Sequence, residues 1–226
     1  MATVKRLLLA IGMMLFVSVA HAQNSVYIDQ IGNNSSIDVT QTGIDNVLGN
    51  NTNKAVFYGD SQGVTITQIG SYNSSVMNVQ GNGTTLSSLV TGDSNQVNVS
   101  CGNTGPLCNQ SAITATATGD QNVINVTGGA KSTFGASVTG SSNTVNVTSA
   151  TTNLNGATAS VTQTGGDANN ITISQNGPAG LNGFQTTVDV TGGGNVIGVT
   201  QTGTVDSTVN IKSVGSNNSI TVHSGN

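Results

Sequence analysis

The stretch SSIDVTQTGIDN, residues 35–46, places a single amide among residues that alternate between apolar and polar. With the two-residue period of a β-strand, Ile37, Val39, Gln41 and Gly43 point to one side of the chain. A buried amide that lacks partners costs about 1–3 kcal/mol for each unmade hydrogen bond. The sequence therefore predicts that the fold supplies a hydrogen-bonding partner for Gln41.

The same inward series recurs along the chain as two apolar residues, a glutamine and a glycine, with one residue between successive positions. The predicted inward glutamines are Gln30, Gln41, Gln68, Gln163, Gln175 and Gln201, and the turn glycines that follow them are Gly32, Gly43, Gly70, Gly165, Gly177 and Gly203. Looser copies keep the spacing but carry Val90, Ala117, Val190 or Ser213 in place of the glutamine. Counting both kinds, the array holds about seventeen half-repeats.

Short strands separated by Gly, Asn or Asp turns are typical of a chain that coils with two strands per coil. The repeats therefore predict an all-β fold, a β-solenoid with two short strands in each coil and amyloid-like stacking. Coils stack about 4.8 Å apart, so each inward residue lies over its equivalent in the next coil. The inward glutamines are then expected to form a structural amide ladder along the stacking axis.

The first residues have the pattern of a secretory signal peptide. Lys5 and Arg6 precede an apolar run over residues 7–20, and the small residues at 20–22 provide a cleavage site. A membrane anchor, the alternative, needs about 20 apolar residues. We therefore predict a signal peptide over 1–22 and one solenoid domain over 23–226 in a secreted, extracellular or cell-surface protein. Loop insertions are expected within 50–60, 101–110, 152–157 and 178–185.

The charge of the expected mature chain excludes several classes of partner. Three lysines, at 54, 131 and 212, stand against nine acidic residues, all of them aspartate, for a net charge of −6. Without a basic stripe, binding to nucleic acid is disfavoured, as is binding to a membrane surface or insertion into one. Disorder is the alternative for such a polar composition, but dense Val, Ile and Thr in alternation favour a folded β-structure.

The acidic residues do not resemble a catalytic set. They are spread about one per turn, as Asp45, Asp60, Asp93, Asp120 and Asp167, whereas hydrolysis of glycosides needs paired carboxylates. After the signal peptide a single histidine remains, which is too few ligands for a typical metal site. We therefore predict that the protein is not an enzyme and has no catalytic residue, cofactor or metal.

The two cysteines, Cys101 and Cys108, flank a short loop that contains Gly105 and Pro106. In an exported chain with only two cysteines, a disulfide between them is the expected state. The chain-entropy estimate for closing this short loop is about 2–3 kcal/mol.

These residues resemble the curlin repeats of bacterial amyloid fibre subunits, which read approximately Ser-x5-Gln-x-Gly-x-x-Asn-x-Ala-x3-Gln. Ser35, Gln41, Gly43 and Asn46 match the first half of that repeat. Shorter matches are Asn24, Gln30 and Gly32, with Asn in place of Ser, and Gln68, Gly70 and Asn73. The Ala and second Gln of the family's second half are mostly absent, and the repeat lengths are irregular.

The resemblance implies a structural subunit, major, minor or nucleating, of an extracellular curli-like fibre that acts in biofilm matrix and surface adhesion. It also implies head-to-tail self-association, with other curlin-like subunits and an outer-membrane secretion pore as partners. The alternative is a monomeric secreted β-solenoid that binds a surface such as ice or glycan. Outward Thr-x-Thr pairs at 40–42, 162–164 and 200–202 suggest it, but the equivalent residues at 29 and 31, at 174 and 176, and at 212 and 214 are not threonine.

Overall fold

A computed structural model describes residues 23–100, 108–128, 133–150, 158–177 and 183–225, with the side chains of residues 149 and 150 excepted. These residues form two parallel sheets. Sheet 1 has eleven strands, which are β1 (Ser25–Val26), β2 (Ile28–Ile31), β4 (Val47–Leu48), β5 (Ala55–Tyr58), β7 (Ser74–Gln80), β9 (Gln96–Ser100), β11 (Val123–Thr127), β13 (Thr144–Ala150), β15 (Asn170–Asn176), β17 (Val196–Thr202) and β19 (Ser219–Ser224). Sheet 2 has eight strands, which are β3 (Ser36–Thr42), β6 (Gly63–Ile69), β8 (Thr85–Thr91), β10 (Ala112–Thr118), β12 (Thr133–Thr139), β14 (Thr158–Thr164), β16 (Phe184–Thr191) and β18 (Ser207–Val214).

The chain alternates between the sheets, so that each strand pairs with the strand one coil away and not with its neighbour in sequence. Sheet 1 runs from β1 through β4 and β7 to β19, and sheet 2 runs from β3 through β6 to β18. Every pairing is parallel. The predicted all-β solenoid is confirmed.

The core lies between the two sheets and is made by every second residue of each strand. In β6, for example, Val64, Ile66 and Gln68 are buried while Thr65 and Ile69 face outward. Strand pairing sets Val64 directly over Leu86 in the next coil. This alternation arises because the strand has a period of two, and β-branched side chains suit its half-buried surface.

The turns that lead from sheet 2 to sheet 1 bring backbones so close that glycine is required. At Gly43 the backbone φ is +114°, and a Cβ would lie 1.9 Å from the carbonyl oxygen of Gly70 in the next coil. Gly70 stands in the same relation to Gly92. Of the predicted turn glycines, Gly165 differs: a Cβ there would meet nothing within 4 Å, and the close approach belongs to Gly166. The turn at 165–168 has one extra residue, which shifts the contact by one position.

Two layers of sheet 1 are divided. β1 with β2 forms one layer, and β4 with β5 forms the next, where residues 49–54 leave the strand as a loop. The first predicted insertion, 50–60, is therefore wrong in part: most of this loop lies in it, but Ala55–Tyr58 form strand β5, because their alternating side chains pack into the core. Most of the other three insertions, and the predicted signal peptide, lie outside the described residues.

No helix among the described residues is long and apolar enough to cross a membrane.

Candidate functional site: the stacked amides and the two open ends

A continuous column of asparagines runs along one corner of the solenoid, where each turn enters sheet 1. Asn73 donates from its backbone nitrogen and from Nδ2 to Oδ1 of Asn46, at 3.1 and 3.0 Å. Asn95 makes the same two bonds to Oδ1 of Asn73. The described members are Asn24, Asn46, Asn73, Asn95, Asn122, Asn143, Asn169, Asn195 and Asn218, joined in that order. We call this column the asparagine ladder.

Most of these asparagines also bond a glycine carbonyl of the next coil. Nδ2 of Asn73 donates to the carbonyl of Gly92 at 2.7 Å, and Nδ2 of Asn95 donates to that of Gly119 at 2.7 Å. The Asn73 side chain therefore pairs two backbone groups of the next coil, the Asn95 N–H and the Gly92 carbonyl, and bonds the amide oxygen of Asn46 in the preceding coil. Since Asn73 is fully buried, these bonds satisfy polar groups that would otherwise be desolvated at a cost.

A second sequence pattern, in the turns and not in the strands, indicates this ladder. Asparagine follows glycine by three residues in each of these turns, at 43–46, 70–73, 92–95, 119–122, 140–143, 166–169, 192–195 and 215–218. The residue before the asparagine has a left-handed backbone, as at Asp45 with φ of 55° and Ser94 with φ of 58°. Gly-x-x-Asn at a fixed place in the repeat would have predicted the ladder.

Aspartates at the tips of the same turns bond to the adjacent coil, which the sequence did not predict. Oδ1 of Asp93 accepts from the backbone nitrogen of Ser71 at 2.6 Å, and Oδ1 of Asp120 accepts from that of Asp93 at 2.8 Å. Asp167 accepts in the same way from Ser141 at 2.7 Å. These carboxylates thus cap backbone groups of the adjacent coil.

The inward glutamines form two short pairs. Nε2 of Gln41 donates to Oε1 of Gln68 at 2.6 Å, and Nε2 of Gln175 lies 3.0 Å from Oε1 of Gln201. Each pair occupies successive layers of one sheet. Gln68 is followed in its column by Val90. The stacked glutamines are therefore local pairs, whereas the asparagines provide the continuous ladder.

Two predicted members of the glutamine ladder have no amide above or below them. Gln30 is exposed, donates from Nε2 to the carbonyl of Gly32 at 3.1 Å, and lies over Phe57 in the next coil. Gln163 is buried between Val138 and Val190. Its Oε1 is buried without a hydrogen-bond partner. The expectation of a ladder at these two positions is corrected, because the inward position was right but the residues in the adjacent coils are apolar.

Cys108 is fully buried and disulfide-bonded. It occupies the place of a turn glycine, since a Cβ on Gly81 of the preceding coil would lie 2.7 Å from the Cys108 carbonyl carbon. Cys101, the other cysteine of the chain, lies outside the described residues.

Both ends of the described solenoid leave strand edges uncovered. The outer edges of β1, β2 and β3 at one end, and of β18 and β19 at the other, pair with no described strand. Inward side chains at the ends are correspondingly accessible: Val26 is 46% exposed, although Leu48, which lies over it, is 0% exposed. Ile220 and Val222 in β19 are also only partly buried. These ends can accept further strands.

The outward face of sheet 2 carries one column of threonines, with Thr91 next to Thr118 and Thr118 next to Thr139. In the coil before Thr91, this column is occupied by Ile69. A neighbouring column is interrupted by Leu89, which is 41% exposed. The threonines therefore form a single line and not a two-dimensional lattice.

Ionisable groups in the described part of the chain are mostly at the surface. The hydroxyl of Tyr58 donates to the carboxylate of Asp29 at 3.0 Å, and this hydrogen bond is the main cause that raises the pKa of Tyr58. Lys212 and Asp189 form an exposed ion pair at 3.9 Å. Among the described residues, no group of three or more His, Cys, Asp or Glu side chains could hold a metal ion.

Comparison with known families gives one match, at the start of the solenoid. Residues 22–43 match the curlin associated repeat. The predicted resemblance is confirmed at these residues, which include β1, β2, β3 and the first close-packed turn glycines. No curated protein and no solved structure matches the chain. The curlin repeat and the parallel solenoid agree in kind, since both are stacked β-structures.

Proposed function

We propose that the chain is a structural subunit of an extracellular curli-like amyloid fibre that acts in biofilm matrix and surface adhesion. The observation that carries this proposal is the pair of open ends, where strand edges and inward apolar side chains lack the neighbours that they have inside the solenoid. Soluble repeat proteins cover their terminal repeats with polar caps, because an open strand edge is a template for pairing with another chain. The curlin repeat at 22–43 supports the same role.

The alignment of hydrogen-bonding groups favours stacking along the solenoid axis. The backbone nitrogen of Val196 donates to the carbonyl of Asn218. The N–H of Ser219 shares that peptide and therefore points away from β17, and by alternation so do the N–H groups of Thr221 and His223. A second copy can accept these donors and continue both sheets at the strand spacing of about 4.8 Å. Secretion through an outer-membrane pore, and assembly with other curlin-like subunits, belong to the same proposal.

The test removes these donors without touching the internal pairing. The double variant Thr221→Pro, His223→Pro lacks two N–H groups on the free edge of β19, where proline is tolerated because it is an edge strand. Thr221→Ala, His223→Ala is the matched control, since it changes the same side chains and keeps the donors. In electron microscopy with added wild-type seeds, the control should form fibres and the proline variant should form few or short ones. If both variants elongate seeds equally, stacking at this end is not the assembly contact. A wild-type chain that stays monomeric supports the surface-binding solenoid instead.

A further inference from the structure

A second copy that is only translated along the solenoid axis does not continue both sheets of the first copy. Sheet 1 contributes nine layers, because β1 and β2 share one layer and β4 and β5 share the next, whereas sheet 2 contributes eight. The described solenoid therefore begins and ends with a strand of sheet 1, namely β1 with β2 at one end and β19 at the other. At the β19 end, sheet 2 stops one layer earlier, at β18.

A second copy placed on this end without rotation would leave a gap. Its β1 and β2 would continue sheet 1 on β19, but its β3 would then face β18 across a missing layer, at about 9.6 Å, twice the strand spacing. The backbone edges of β18 and β3 would stay unpaired inside the contact. Unpaired buried backbone groups are costly, so this arrangement is disfavoured.

A half-turn about the solenoid axis removes the gap. The strands of the two sheets run in opposite directions across the core, because the chain passes from one to the other through a single turn. A copy rotated by about 180° therefore sets its β1 and β2 in parallel on β18, level with β19, and sets its β3 in parallel on β19. We propose, as a consequence of the proposed fibre function, that successive subunits are related by about a half-turn, so that sheet 1 of one copy continues as sheet 2 of the next.

The side chains of the two repeats fit this docking on sheet 2. Inward residues of β18, Val209 and Ile211, would lie under Val26 and Ile28 of the next copy, at equivalent places in the repeat. Val209 and Ile211 are 8% and 6% exposed, more than equivalent residues in the interior such as Ile66, at 0%. The rotated copy would bury the exposed remainder.

The fit on the β19 side includes a polar match. Ile220 and Val222 would lie under the inward residues Ile37 and Val39 of β3. At the next inward position, Gln41 commits Nε2 to Gln68 in the following layer, which leaves Oε1 to accept from the preceding layer. In the rotated docking, the preceding layer is β19 of the first copy, whose Ser224 hydroxyl can donate to Oε1 of Gln41 in the second copy, so the amide pairs on both sides.

Cross-linking of mixed fibres distinguishes the two arrangements. In the rotated docking, His223 of one copy and Thr40 of the next lie in adjacent strands, within the Cα separation of about 4.4–6.8 Å that a disulfide needs. His223 and Asp29 meet only in the unrotated docking. We expect oxidised fibres assembled from His223→Cys and Thr40→Cys chains to contain disulfide-linked dimers. Fibres from His223→Cys and Asp29→Cys chains should contain at least about tenfold fewer, because that pair would lie on opposite faces, more than about 10 Å apart.

Each outcome bears on the proposal. Linkage through Asp29 in preference to Thr40 overturns the half-turn and leaves the fibre function standing, whereas failure of the unmodified chain to form fibres overturns both. Helical reconstruction of wild-type fibres from electron micrographs gives a readout without substitutions. The half-turn predicts alternation of the two sheet faces between successive subunits and a rise of about 41 Å, eight and a half strand spacings. A rise of about 43 Å, with the same face repeated, overturns it.

Discussion

The asparagine ladder predicts a large difference between two asparagines that lie three residues apart. Asn122, at the entrance to β11, is fully buried; its Oδ1 accepts from the backbone nitrogen and Nδ2 of Asn143 at 3.1 and 3.0 Å. Its Nδ2 donates to the carbonyl of Gly140 at 2.7 Å. Asn122→Ala removes all three bonds and leaves three buried groups to find new partners. At about 1–3 kcal/mol for each group, with some relief from entering water, the loss should be about 3–5 kcal/mol.

Asn125→Ala is the matched control, since Asn125 lies on the outward face of the same strand and is only half-buried. Its replacement should change the free energy of unfolding by about 0.5 kcal/mol or less. Both variants can be compared by urea unfolding, followed by far-UV circular dichroism at concentrations where the chain is monomeric. Amide hydrogen exchange gives a local check, because a loss of about 3 kcal/mol lowers the protection of the Asn143 N–H by roughly a hundredfold. Equal effects of the two substitutions would refute the ladder as a source of stability.

Three further substitutions or measurements test individual parts of the core. Gln175→Val should cost about 1–3 kcal/mol in urea unfolding, because Nε2 of Gln175 donates to Oε1 of Gln201 in the next coil. Gln163→Val should cost less, because the neighbours of Gln163 in the adjacent coils are valines and its Nε2 donates only to two carbonyls of its own turn; the opposite order would contradict the assigned columns. Gly92→Ala should destabilise by about 3 kcal/mol, since a Cβ would lie 2.2 Å from the carbonyl of Gly119 at φ of +114°. Gly63→Ala, where nothing lies within 4 Å, should be close to neutral, and comparable losses would argue against the close approach. Mass spectrometry of non-reduced peptides should find Cys108 in an intramolecular disulfide, and reduction should lower stability by about 2–3 kcal/mol; a free thiol would contradict this.

The strand register could be read from the sequence because inward residues follow a strict period of two. Val64, Ile66 and Gln68 took their places from local spacing alone, and the repeat then set which residue lies above each of them. The asparagine ladder was missed because its members lie in turns, where no strand period applies. Each asparagine side chain links its own turn to the turn of the adjacent coil by hydrogen bonds. Its contribution to stability therefore depends on residues that are distant in sequence.

The partners of the inward glutamines depend on more than the inward position. Whether Gln163 meets an amide or an apolar residue is set by the coils on either side, whose lengths vary with the insertions. The spacing placed Gln30 correctly on the inward side, over Phe57, but no described coil lies beyond this layer and the side chain is exposed. At Gly165 a single inserted residue moved the close approach to Gly166.

The central claim, that the open ends of this solenoid stack into a fibre with strands across its axis, is tested most directly by X-ray diffraction from aligned assemblies of the wild-type chain. The account predicts a meridional reflection at about 4.7–4.8 Å from the strand spacing and an equatorial one near about 10 Å from the separation of the sheets. A chain that remains monomeric at high concentration in the presence of seeds, or fibres without the meridional reflection, would contradict it.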